Sequence, residues 1–259
     1  MRVERHLHRV IARDGAAHLT LIDPAKQSPK VAGEIASDAE AAGSAGIMIG
    51  GSTRAVGKPL DRTVLSVKNN SSLPVILFPA SEASISKHAD AIFFMSMLNS
   101  RDPYFISGAQ MLGAPLVRKF KLETLPMAYL VVEPGGAVGR VGKAEPIPRH
   151  KPRLAAAYAL AAQYLGMRFV YLEAGSGAKL PVPTEMVREV RKTVDMTLIV
   201  GGGIKEPAAA ADRVKAGADI IVTGTLVERS ANRAMEIRGI VRAIKGCGGA
   251  WRRRCTHRL

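Results

Sequence analysis

The chain has 259 residues, 47% hydrophobic and only 5% aromatic, with a formal net charge of +15. That apolar content can bury a full core and excludes global disorder, and the wealth of Ala, Gly, Val and Ile favours an α/β protein over an all-β sandwich. No apolar run approaches the roughly 20 residues of a membrane-spanning helix, the charged start "MRVERHLHRVIARDG" is unlike a signal peptide, and two cysteines, Cys247 and Cys255, do not make a zinc site or a disulfide framework, so a soluble, cytoplasmic protein is expected.

Short continuous apolar runs recur along the chain, as strands buried on both faces of a parallel sheet require. In order they are His18–Asp23, Gly46–Gly50, Pro74–Pro79, Ala91–Met97, Ala128–Pro134, Phe169–Gly175, Thr197–Gly203 and Asp219–Thr225. Helical patterns lie between them. The first opens with Ser28 as cap and Pro29 at the first turn and stops at Gly43, an alanine-rich one stops at Gly166, and the last runs from about Leu226 to Lys245. His6 and His8 fall on a leading helix, as surface residues. Eight strands alternating with helices predict a (β/α)8 TIM barrel, modified by short or displaced helices after strands two and three. No GxGxxG follows the first strand, which disfavours a doubly wound open sheet. We expect a single domain over 1–246 and a basic tail over 247–259.

In such a barrel the chemistry sits where strands end. Those stops are Asp23, the pair Gly51–Ser52, Ser81, Ser96 with Asn99, Glu133, Glu173 before Gly175–Ser176–Gly177, Gly201–Gly202–Gly203, and Gly224–Thr225. Barrels often hold phosphate with the loops after strands seven and eight, and glycines let backbone N–H groups approach its oxygens. Asp23, followed by Pro24, fits either an Asx-turn or helix cap or a Mg²⁺ ligand, with the Ser52 hydroxyl as a second contact. Glu173 fits a general base, a hydroxyl anchor or a satisfied buried acid. Beside a phosphate pocket its charge is tolerable if it faces substrate hydroxyls, which suggests a small polyol phosphate.

"HLTLIDPAK", "MIGGST", "LFPAS", "FFMSMLNS", "YLVVEPGGAVGRVG", "YLEAGSGA", "IVGGGI" and "IIVTGT" occur in this order between about His18 and Val227. In these motifs the chain resembles the geranylgeranylglyceryl phosphate synthases. The resemblance implies a Mg²⁺-dependent prenyltransferase on a modified TIM barrel, joining the sn-3 hydroxyl of sn-glycerol 1-phosphate to the chain of geranylgeranyl diphosphate and releasing diphosphate. This would form the first ether bond of archaeal membrane lipids. It implies Asp23 and Ser52 as the metal site. It implies Tyr171, Leu172, Glu173, Ala174, Gly175, Ser176, Gly177, Gly202, Gly203, Gly224 and Thr225 as the glycerol-phosphate site. Glu173 then orients or deprotonates the attacking hydroxyl, Lys26 helps neutralise the leaving group, and the chain assembles as a homo-oligomer, dimer or hexamer.

Three positions depart from the family pattern: Ala25 where a second acid is usual, Arg140 where an aromatic is expected, and Lys143 where an acid is expected. The tail "CGGAWRRRCTHRL" matches no family motif. It reads as a solvated extension, with peripheral contact to an anionic membrane as the second reading. Related bacterial enzymes use a heptaprenyl chain, and sequence does not reveal groove depth. A sugar-phosphate isomerase or aldolase would want an acid–base pair or a strand-end lysine, and these strand ends offer Glu133 and Glu173 but no lysine. A non-enzymatic anion-binding or membrane-binding protein rests on the +15 charge alone. Nucleic acid is not an expected partner, because no basic stripe with interleaved aromatics is present.

Overall fold

The computed structural model describes residues 2–51, 56–225 and 232–247. Eight parallel strands close into a barrel in sequence order: β1 (Ala17–Ile22), β2 (Gly46–Gly50), β3 (Val75–Phe78), β4 (Ala91–Met97), β5 (Glu123–Val131), β6 (Phe169–Glu173), β7 (Thr197–Gly201) and β8 (Ile220–Thr223). β1 closes the ring by pairing with β8 as well as β2, with Ala17 opposite Ile220 and Leu19 opposite Gly46.

Strand alternation sorts the side chains into two cores. Leu19, Met48, Ile76, Phe93, Met127, Phe169, Tyr171 and Ile199 fill the interior. Their neighbours Ala128, Leu130, Val170, Leu172, Leu198, Val200 and Ile221 face outward under the helices. The first helix, α1 (Val3–Asp14), lies across the bottom of the barrel, where Val3, Leu7 and Ile11 join the interior cluster. Its free N-terminal amides are taken by Glu123 at the start of β5, which accepts from Val3 N at 2.8 Å and Glu4 N at 3.0 Å. His6 and His8 do sit on this leading helix, bound to the Ala45 carbonyl and the Thr197 hydroxyl.

The helices α2 (Pro29–Ala42), α6 (Pro152–Tyr164), α7 (Thr184–Thr193), α8 (Pro207–Ala216) and α9 (Arg233–Ile244) follow their strands as expected. The start of α2 is capped by Ser28 Oγ, which accepts from Val31 N, and the helix ends at Gly43 with φ +93°. The irregular stretch is the third unit. α3 (Lys58–Asn70) after β2 is a regular helix, but no helix separates β3 from β4. After β4 a π-helical turn over Tyr104–Gly108 runs into α4 (Ala109–Phe120), and a short helix α5 (Gly136–Val141) precedes α6. The last helix's expected first residues, 226–231, and the tail beyond 247 fall outside the described residues. No helix among the described residues is long and apolar enough to cross a membrane.

Candidate active site

Two adjacent cavities open at the C-terminal ends of the strands. The smaller, about 430 Å³ including its mouth, is walled by Tyr171, Glu173, Ser176 and Gly177 from the β6 side. Gly202, Gly203 and Lys205 come from the β7 loop, and Thr223, Gly224 and Thr225 from β8. The larger, about 1040 Å³ including its mouth, is apolar, lined by Phe78, Phe93, Met95, Met97, Phe105 and Gly113 among others. Leu21, Glu173 and Ser176 belong to both. Glu173 therefore stands on the wall where a glycine-lined chamber meets an apolar groove.

The barrel holds this carboxylate by construction. Phe169, Tyr171 and Glu173 alternate inward along β6, and Glu173 is only 6% exposed. Its Oε1 accepts from Gly175 N at 2.6 Å, and the hydroxyls of Tyr171 and Tyr129 donate to the same carboxylate. Those two rings meet edge to face with centroids 5.1 Å apart, and Phe78 packs against both. Burial raises the Glu173 carboxyl above its ordinary range, and the three donors offset part of that rise. Burial, with Glu173 beside them, keeps both phenols protonated.

The triple glycine at the end of β7, expected from the sequence for phosphate approach, has a steric reason of its own. A Cβ at Gly201 would overlap the Tyr171 hydroxyl, and one at Gly202 would overlap Glu173 Oε1. Gly202 and Gly203 also hold φ of +78° and +71°, a region side-chain-bearing residues avoid. The run makes room for the buried acid as well as for a ligand.

Most of the residues expected at the site converge. Tyr171, Glu173, Ser176, Gly177, Gly202, Gly203, Gly224 and Thr225 line the small chamber, and Ser176 Oγ lies 3.1 Å from Thr225 Oγ1 across its rim. Three do not face it. Leu172 and Ala174 point outward into the helix-side core, because odd and even positions of a strand face opposite sides. Gly175 turns behind the chamber against Gly135 and Gly136. The rival strand-end acid, Glu133, accepts from Arg149 N and lines neither cavity. Asn99 is a structural lock, bonding both N–H and C=O of Val131.

Lys205 and Tyr129 were not singled out from the sequence. Inward alternation along β5 could have found Tyr129, and the first cation after "VGGGI" could have found Lys205. The groove had no such signal, since its lining is gathered mainly from β3, β4, α4 and α5, with single residues of β1, β5 and β6.

Asp23 is 4% exposed. Its Oδ1 accepts from Ala25 N at 3.1 Å, the Asx-turn, while Oδ2 lies 3.5 Å from Lys26 Nζ and packs against Gly51. One hard carboxylate at a strand end fits a Mg²⁺ held largely by substrate oxygens and water. No all-protein cage is present, since no group of three His, Cys, Asp or Glu gathers among the described residues. Ser52 lies outside the described residues. Behind the small chamber's β8 wall, His18 lies fully buried with Nδ1 2.8 Å from Ser44 Oγ and Nε2 2.8 Å from Thr223 Oγ1. Burial pushes it down to about 3.

Residues 8–244 match the PcrB family. The chain belongs to the PcrB family. It is 61% identical over 229 residues to the geranylgeranylglyceryl phosphate synthase of Pyrococcus horikoshii, covering 88% of this chain and 90% of that one. It is 56% identical to the enzyme of the same name from Thermococcus kodakarensis over 248 residues, 95% and 98% of the two chains. Among solved structures, the Thermoplasma acidophilum (S)-3-O-geranylgeranylglyceryl phosphate synthase in complex with its substrate sn-glycerol-1-phosphate superposes with a TM-score of 0.90 at 46% identity, over 95% of this chain and 98% of that one. The α chain of tryptophan synthase from Legionella pneumophila, at 14% identity and a TM-score of 0.62, shares the barrel fold alone. As a PcrB-family member with such relatives, the chain is an enzyme, a prenyltransferase.

Proposed function

We propose that this prenyltransferase joins sn-glycerol 1-phosphate to geranylgeranyl diphosphate, forming 3-O-geranylgeranylglyceryl phosphate and diphosphate. The observation that carries the reading is the shared wall: Glu173 and Ser176 border both a small glycine-lined chamber and a larger apolar groove. A polar acceptor and a hydrocarbon donor would meet at that wall. The relative solved with sn-glycerol-1-phosphate, 46% identical, supports the acceptor.

In this reading the phosphate is taken by backbone N–H groups of the glycine turns around Gly177, Gly203 and Gly224. The free hydroxyl then reaches Glu173, whose carboxylate orients it and takes its proton. The hydroxyl oxygen forms a bond to the allylic carbon as the bond from that carbon to the diphosphate oxygen breaks, and the electron pair leaves with diphosphate. Tyr129 and Tyr171 keep the carboxylate aimed while it is unprotonated. Apolar walls around Phe78 and Phe93 exclude water from the allylic carbon. Asp23, with Lys26 beside it, would hold Mg²⁺ at the diphosphate end, where the ion supplies charge neutralisation for the leaving group. Holding both substrates against one wall replaces a bimolecular encounter with an oriented one.

The test is turnover with Mg²⁺, sn-glycerol 1-phosphate and allylic diphosphates of 10 to 35 carbons. The ether product should form best with the 20-carbon donor. Exclusive use of the 35-carbon donor would move the assignment to the heptaprenyl reaction, and no ether product with any donor would overturn it.

A further inference from the structure

We infer that Lys205 is a substrate-positioning residue, fixing which end of the polar acceptor enters the small chamber first. Lys205 stands two residues past the glycine run, after Ile204, and is the one cation lining that chamber among the described residues. It is exposed at the chamber's edge, on the β7–β8 side. Glu173 is the one acid lining the chamber among those residues, and it is on the side shared with the groove.

The chamber is thus electrically polarised. Its groove side carries a buried carboxylate, while an exposed lysine belongs to its β7-loop wall, which the groove does not share. A small molecule with an anionic end and a hydroxyl end can enter in two orientations. Only one brings the anion to Lys205 and the hydroxyl to Glu173. The reverse orientation would press a phosphate against a carboxylate, and like charges in a partly desolvated site repel strongly. Lys205 would therefore contribute binding to the charged end alone and leave the reacting hydroxyl untouched. The glycine amides supply hydrogen bonds but no net charge. An exposed ammonium at the entrance also draws anions in at a rate that salt suppresses.

This inference rests on the acceptor reading above, and its test separates the two. Steady-state kinetics of Lys205→Met and Lys205→Arg are compared with the unaltered chain, varying sn-glycerol 1-phosphate and the prenyl diphosphate separately. Because the side chain is exposed, neither substitution should disturb folding, which melting curves would check. Lys205→Met should raise KM for sn-glycerol 1-phosphate about tenfold, the scale of one charge-assisted hydrogen bond. The kcat and the KM for the prenyl donor should stay within about twofold, since neither depends on the phosphate contact. Lys205→Arg should restore most of the affinity, and the salt dependence of kcat/KM should flatten in the Met variant only.

An unchanged acceptor KM in Lys205→Met, or an equal loss in kcat with no effect on KM, would overturn the inference. If the unaltered chain made no product, the acceptor reading itself would fall. Calorimetric titration with sn-glycerol 1-phosphate would then decide for Lys205: equal affinity of the Met variant and the unaltered chain overturns its role, and weaker affinity of the Met variant sustains it.

Discussion

A Cβ on Gly202 would overlap Glu173 Oε1 and stand 2.7 Å from the amide nitrogen of Gly175 and 2.9 Å from that of Ala174. The acid at the end of β6 and the glycine at the end of β7 are two halves of one fitting. Gly202→Ala should therefore displace the carboxylate as well as strain a backbone at φ +78°. A loss of about 1–3 kcal/mol in stability is expected, with kcat falling far more than any comparable change at Gly166, whose Cβ would meet nothing within 4 Å. Denaturant unfolding and steady-state kinetics on both variants provide the comparison.

Glu173→Gln keeps an oxygen for the Gly175 amide but removes the charge. Turnover should drop by a factor of about 10²–10⁴, the range of a lost general base, without loss of fold. The carboxyl is raised by burial from an ordinary value of 4.5, so the folded state prefers the protonated form. Sign follows from linkage. Any stability from that preference is present below 4.5 and is lost as pH rises through the raised value. The Gln variant should thus match or exceed the parent in stability at neutral pH, an advantage that vanishes below pH 4.5. In the parent, kcat/KM should fall on acidification through a pKa above 4.5.

His18 works in the opposite sense. Its folded value of about 3 lies below the ordinary 6.5, so the neutral ring is stabilising above pH 6.5 and that contribution is lost as pH falls toward 3. The loss should amount to a few kcal/mol. Unfolding of His18→Gln measured across this window should show a shallower acid slope than the parent. An identical slope would remove His18 from the balance.

Much of this arrangement was legible in the sequence, for physical reasons that differ by element. β2 and β4 are bounded as read, because "GIMIG" and "AIFFMSM" are uninterrupted apolar runs. β5 starts five residues before the run at Ala128, since Glu123, Thr124 and Pro126 break its apolar pattern while Glu123 serves the end of α1. α4 gave little periodic signal: it follows a π-helical turn, contains Pro115, and exposes Met111, Leu112 and Leu116. At the site, glycine and acid types marked the strand ends. Leu172 and Ala174 were grouped with them because a contiguous motif hides the two-residue alternation that sends them outward. The groove is assembled from strands, loops and helices spread along most of the chain and leaves no local trace.

Asp23→Asn separates a turn role from a metal role. Asn retains the side-chain oxygen that accepts from Ala25 N, so the Asx-turn and the fold should persist, while the charge that would hold Mg²⁺ is gone. Turnover should fall by about 10²-fold or require far more Mg²⁺ for half-maximal rate, with the melting temperature nearly unchanged; an order of magnitude like this is what loss of one catalytic charge contact produces. Chelation of the metal should stop the parent enzyme, and Mg²⁺ should restore it. Turnover by Asp23→Asn at the parent's Mg²⁺ dependence would leave the carboxylate a turn residue only.

Gly113 lines the groove from α4, and a Cβ there would stand 3.1 Å from Ile85 Cδ1. A larger side chain at 113 should narrow the groove, raising KM for the 20-carbon donor about tenfold, as a few displaced methylenes would. Shorter allylic diphosphates and sn-glycerol 1-phosphate should be little affected. A uniform change across donors of all lengths would place the hydrocarbon elsewhere.

The most direct measurement is a crystal structure with sn-glycerol 1-phosphate and an unreactive thio-analogue of geranylgeranyl diphosphate bound together. Density for the phosphate on the glycine turns around Gly177, Gly203 and Gly224, the free hydroxyl within hydrogen-bonding reach of Glu173, and the chain along Phe78, Phe93 and Gly113 is the expected result. A phosphate seated outside the small chamber, or a hydrocarbon chain outside the groove that shares Glu173 with it, would contradict it.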